Sequence, residues 1–164
     1  MINASDLLGA PQTAGVVVSP VGSYRMREQG VVLHGGAALG PRNIDRLWGK
    51  RNAEERRQDA AVSQRTPNCG EWGYLAVTDT ELALTTTEPG KGGAGRRLGQ
   101  LVARVPRGTV AQVELAGGWR HATFYILGSA SLRLTFTDGT AWAFEVNRFS
   151  RGRAKRLVRT LQSR

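Results

Sequence analysis

Gly73-Tyr74-Leu75-Ala76-Val77-Thr78-Asp79-Thr80-Glu81-Leu82-Ala83-Leu84-Thr85-Thr86-Thr87 is the stretch that decides the fold. Two runs of apolar and β-branched residues flank a short polar break, which predicts a strand over 74–78, a tight turn at Asp79-Thr80 and a second strand over 82–87. The same grammar continues downstream. A glycine-rich loop spans 88–97, and a third strand falls within 98–105, stopped by Pro106-Arg107-Gly108. In 109–115, Val113 and Leu115 share one face with Glu114 on the other, and Gly117-Gly118 breaks this fourth strand. A fifth strand is read at 123–127. Leu132, Leu134 and Phe136 alternate in a sixth, and Trp142, Phe144 and Val146 alternate in a seventh. Asp138-Gly139 between the last two is a strong hairpin signal, because positive φ angles match the twist of the strands.

After Ser150, an N-cap candidate, Ala154, Leu157, Val158 and Leu161 recur at i, i+3, i+4 and i+7. This is the stripe of a docked amphipathic helix. The expected architecture is mainly β: seven strands in hairpin order, curled into a β-sandwich or half-barrel, with one C-terminal helix plugging the open end.

Upstream of Gly73 the pattern is weaker. Val16-Val17-Val18 and Val31-Val32-Leu33 are short β-type runs among Gly, Pro and Ser. Pro41-Arg42-Asn43 opens a helix expected over about 42–63, in which Ile44, Leu47 and Trp48 can dock and the later charged turns are solvated. The breaker Thr66-Pro67-Asn68-Cys69-Gly70 sets the expected boundary, with an N-terminal extension at 1–70 and the β-domain at 71–164.

Cys69 is the only cysteine, so an intramolecular disulfide is excluded. It reads as a small half-buried residue near a turn, distant in sequence from His34 and His121. No apolar run reaches the ~20 residues of a membrane span. The N-terminus lacks the basic start and apolar stretch of a signal peptide, which points to the cytoplasm. Arginine far exceeds lysine, and alanine and glycine are frequent, a composition associated with GC-rich bacteria.

The net charge of +10 is unevenly placed. Residues 71–146 balance seven basic against seven acidic side chains, whereas 147–164 carry seven basic and none acidic. A concentrated cation favours acidic partners: nucleic acid, anionic lipid or an acidic protein face.

The hairpin 73–84 resembles the opening hairpin of GRAM-like and bacterial pleckstrin-homology (PH)-like domains. Val105-Pro106-Arg107-Gly108-Thr109-Val110-Ala111-Gln112-Val113 is similar to a later segment of that family, and Leu134-Thr135-Phe136-Thr137-Asp138-Gly139-Thr140 resembles its late hairpin. The resemblance covers roughly 71–163 and implies binding without chemistry, with a protein or an acidic headgroup as ligand. Lipid-binding relatives carry Lys and Arg between their first two strands. The corresponding turn is read here as Asp79-Thr80-Glu81, which argues against that headgroup site.

Gly90-Lys91-Gly92-Gly93-Ala94-Gly95 satisfies the dinucleotide fingerprint G-x-G-x-x-G. Leu98, Leu101, Val102 and Val105 have the spacing of the helix that must follow it, and Glu114 stands about where a ribose-binding acid would. Against this, Glu88-Pro89 separates strand from glycine, and the remaining pattern is hairpins rather than repeated βαβ units. The plainer reading is a hairpin loop exposing Lys91, Arg96 and Arg97. Trp119-Arg120-His121 is an aromatic-basic loop tip. No nucleophile elbow or histidine–carboxylate set points to catalysis.

The basic cluster Arg148, Arg151, Arg153, Lys155, Arg156, Arg159 and Arg164 is the main candidate surface, with Arg151, Lys155 and Arg159 four apart on one ridge. The competing reading is a solvated helix back. The sequence thus points to a non-enzymatic interaction module without cofactor or metal, cytoplasmic or peripheral at a membrane. Its expected partner is a protein, with homo-oligomerisation open. The alternatives are nonspecific binding of nucleic acid or anionic lipid by the basic helix, and a nucleotide-dependent enzyme using Gly90–Gly95.

Overall fold

A computed structural model describes residues 2–21, 62, 65–90, 95–116 and 129–163, the side chains of Ser129 and Arg148 excepted. A one-turn helix α1 (Ser5–Leu8) leads to β1 (Ala14–Pro20). Then come β2 (Gly73–Val77), β3 (Glu81–Pro89), β4 (Arg96–Pro106), β5 (Val110–Ala116), β6 (Ser129–Phe136) and β7 (Ala141–Asn147). The helix α2 (Arg151–Gln162) follows a 3₁₀ turn at Arg148–Ser150.

The strands form one antiparallel sheet in the order β4-β3-β2-β1-β7-β6-β5. Among the described residues it is an open sheet, with β4 and β5 at its two edges. β1 is the hinge of the arrangement: Val16 pairs with Leu75 of β2, while Ser19 and Pro20 pair with Glu145 and Phe144 of β7.

Seven strands and one C-terminal amphipathic helix agree with expectation, but the seven are not the same seven. The central strand β1 comes from the segment read as an extension, through the Val16-Val17-Val18 run. The strand read at 123–127 and most of the helix read over 42–63 lie outside the described residues. A consequence follows for the acidic turn at Asp79-Thr80-Glu81. It joins β2 to β3, the second and third of the described strands rather than the first and second.

The main core lies between the inner sheet face and α2. Val16 and Val18, Leu75 and Val77, Leu82 and Leu84, Leu132 and Leu134, and Phe144 and Val146 pack with Ala154, Leu157 and Leu161. The i/i+2 alternation of the strands meets the i/i+3/i+4 stripe of the helix, as each period requires. Phe136 and Trp142 meet edge-on at 4.8 Å between ring centroids.

A second, smaller core explains why β2 is buried at every position. On the outer face, Ile2, Ala4 and Leu8 cover Tyr74, Ala76 and Ala83. Arg104 of β4 locks this cover, donating to the Leu8 carbonyl at 2.8 Å while pairing with Glu81 at 2.6 Å.

β4 carries two register shifts against β3. At one of them Gln100 N–H donates to Thr86 Oγ1 at 2.8 Å, and a Cβ on Gly99 would collide with that hydroxyl. Glycine at a bulge is the local solution.

Candidate functional site

Helix α2 packs chiefly on β1 and β5. Ala154, Leu157 and Leu161 are buried, while Arg151, Arg153, Lys155, Arg156 and Arg159 are exposed. Lys155, Arg156 and Arg159 occupy the outward arc opposite the buried stripe. None of these three forms an ion pair with another described residue.

The first turn of α2 contains Arg151 and Arg153 and no acidic residue, and Ser150 makes no side-chain cap bond. Cations at a helix N-terminus oppose the macrodipole, a placement that costs roughly 0.3–1 kcal/mol each. Helix stability therefore does not account for this charge.

The other end of α2 is held by Arg107, which the sequence marked only as part of a strand stop. Its Nη2 donates to the carbonyl oxygens of Thr160 and Ser163, the latter at 2.8 Å. Its own N–H donates to the Thr80 carbonyl at 2.7 Å. One arginine thus joins the β2–β3 turn, the end of β4 and the C-terminus of α2, where a cation complements the dipole.

Beside this anchored end runs β5, whose one neighbour in the sheet among the described residues is β6. A register shift between Val110 and Gln112 makes Ala111 a bulge, and Ala111 is exposed. Between β5 and α2 lies an open cleft of about 280 Å³. Buried Val110, Val113 and Leu161 line it together with exposed Ala111, Gln112 and Gln162.

The loop-tip candidates separate into two groups. Arg96 and Arg97 belong to β4 rather than to a tip, and both are engaged locally. The Arg96 guanidinium stacks 4.4 Å from the Trp72 ring centroid and donates to Thr87 Oγ1 at 3.1 Å. Arg97 pairs with Glu88 at 2.7 Å. Lys91, Trp119, Arg120 and His121, with the Arg148 side chain and Arg164, lie outside the described residues.

The dinucleotide alternative requires a helix after the glycines. Instead, 96–106 is strand, antiparallel to β3, with Pro89 opposite Arg96. Gly90 N–H donates to the Gly95 carbonyl at 3.0 Å, and Gly95 has φ +74°. β3 and β4 on either side of the glycines pair as an antiparallel hairpin.

Cys69, Pro20, Thr66, Pro67, Asn68 and Phe144 line a smaller cleft of about 110 Å³. Burial pushes the Cys69 thiol above its ordinary range, against a smaller opposing pull from a backbone hydrogen bond, so the group stays protonated and weakly nucleophilic. Among the described residues no three His, Cys, Asp or Glu side chains converge to hold a metal ion. No described helix is long and apolar enough to cross a membrane.

The feature that sequence reading missed is Phe149, 76% exposed in the 3₁₀ turn just before α2. It follows the alternating Trp142, Phe144 and Val146 but lies out of phase with them, the one signal that could have marked it as outward. No family model matches the chain, and no curated protein or solved structure matches it.

Proposed function

We propose that this chain is a non-enzymatic interaction module of the PH/GRAM-like kind, which holds an extended segment of a partner protein in the cleft between β5 and α2. The cleft carries the reading: among the described residues an edge strand and a helix wall stand side by side, with buried Val110, Val113 and Leu161 between exposed Gln112 and Gln162. An added strand gains main-chain hydrogen bonds from such an edge and side-chain specificity from the groove next to it. Two meanders, β1 to β4 and β5 to β7, joined through β1 and β7 and backed by a C-terminal helix, support the PH/GRAM-like assignment.

Pull-down from the native host with the wild type and with Ala111→Arg tests this reading. Ala111 is exposed, so the variant should keep its Tm while losing the captured partner. Equal capture by the folded variant would reject the cleft as the docking place.

A second reading, polyanion binding by α2, is favoured by the first-turn cations that helix stability does not explain. Such a complex should weaken steeply with salt, whereas a complex in the cleft, whose lining residues carry no charge, should persist. Replacing Arg151, Lys155 and Arg159 with Gln should remove it, and unchanged affinity would reject it.

A further inference from the structure

We infer that the segment held between β5 and α2 is acidic, an extended peptide with carboxylates on the side turned to the helix. This rests on the cleft reading above and names the chemistry of the occupant. The lining of the cleft is neutral: Val110, Ala111, Val113 and Leu161 are apolar, and Gln112 and Gln162 carry no charge. The charge stands on the helix wall. Gln162 lines the cleft, and on an α-helix the residues three, four and seven positions back share its face. These are Arg159, Val158 and Lys155. Val158 packs partly on the main core, while Arg159 and Lys155 are exposed and form no ion pair with another described residue. The helix supplies no acid to meet them, since none follows Glu145 in the sequence.

Across the cleft, the one acid of β5 is Glu114. It accepts a hydrogen bond from Gln112 Nε2 and faces Arg133 across the β5–β6 pair. An incoming carboxylate therefore meets two cations on the wall and an acid already partnered on the strand. A nucleic acid would satisfy Lys155 and Arg159, but it has no ladder of N–H and C=O groups to offer an edge strand. A second copy offers the ladder. Antiparallel β5–β5 pairing about a twofold axis, however, sets both α2 helices on one sheet face with their cations toward each other. An acidic peptide brings both the ladder and the opposite charge.

The test is selection of a random peptide library on the full chain at ~0.15 M salt. Segments of about ten residues span β5 at ~3.3 Å per residue. Enriched segments should favour aspartate and glutamate over lysine and arginine. The best of them, synthesised, should slow amide hydrogen exchange in β5. Lys155→Gln with Arg159→Gln should keep its Tm and lower the affinity for this peptide about tenfold. Lys155→Glu with Arg159→Glu should turn the selection toward lysine and arginine.

If no segment is enriched, the cleft reading fails and takes this inference with it. Protection of β5 that grows with chain concentration would then make a second copy the occupant. If enriched segments protect β5 without an acidic bias, or the double Gln variant binds equally well, the cleft stands and the acidic occupant is overturned. Acidic segments that slow exchange in α2 alone, leaving β5 unchanged, overturn it as well, because charge then acts on the helix surface outside the cleft.

Discussion

Ser19 sits where β1 leaves β2 for β7, and its hydroxyl is fully buried with no hydrogen-bond partner among the described residues. A desolvated, unpaired hydroxyl costs more than its small volume returns in packing. Ser19→Ala should therefore raise stability by about 1 kcal/mol, measured by urea unfolding. A loss would mean that the hydroxyl has a partner. Tyr74 presents the opposite case. Its hydroxyl donates to the Ile2 carbonyl at 3.1 Å and accepts from Gln12 at 2.8 Å, stitching the N-terminal cover to β2. Burial raises its pKa above the ordinary tyrosine value, while the Gln12 bond and the charge of Arg153 pull it down. A phenol held neutral contributes stability that is intact below the unfolded value near ~10 and is lost as pH rises through the raised one. Tyr74→Phe should cost about 1 kcal/mol at neutral pH and flatten the alkaline fall in Tm. An unchanged alkaline slope would place the titration elsewhere. Gly15 belongs with this pair, since a Cβ there would strike the Tyr74 ring and hydroxyl.

At the scale of elements, α2 is fixed by apolar contacts along its length and by Arg107 at its end. Leu157 is fully buried among sheet residues, so Leu157→Ala should cost about 2–5 kcal/mol by transfer and cavity terms together. Arg107→Ala removes two charge-assisted bonds to helix-end carbonyls and should cost about 1–3 kcal/mol, with the amides of the last turn exchanging fastest. Uniform exchange along α2 would show that Arg107 is no cap. Helix α2 and strands β2 to β5 were legible because their signals are local: a 3.6-residue stripe, a two-residue alternation, glycine and proline breaks. The role of Arg107 was not, because its acceptors lie more than fifty residues away. Arg96 misled for the same reason. It reads as the tip of a glycine loop, yet the register of β3 and β4 brings it beside Thr87 and the Trp72 ring.

For the whole molecule, the decisive fact is the position of β1. Three consecutive valines between prolines and glycines carry no clear period, and the partners of their strand, from Leu75 opposite Val16 to Glu145 opposite Ser19, are distant in the chain. Sequence reading could register the run but not seat it at the centre of the sheet. Once it is seated, Val16 and Val18 face the main core and Val17 meets the outer cover, so one strand serves both cores. Without it, β2 and β7 would each expose a hydrophobic strand edge, and α2 would lose one of its two main supports. The binding surfaces inherit this dependence, since the β5 cleft and the cationic end of α2 are positioned by a helix that rests on β1. The most direct measurement is thermal unfolding, followed by far-UV circular dichroism, of residues 62–164 beside the full chain. A sigmoidal transition for the full chain and none for the fragment is the expected result. A fragment melting cooperatively at the same Tm would contradict the account.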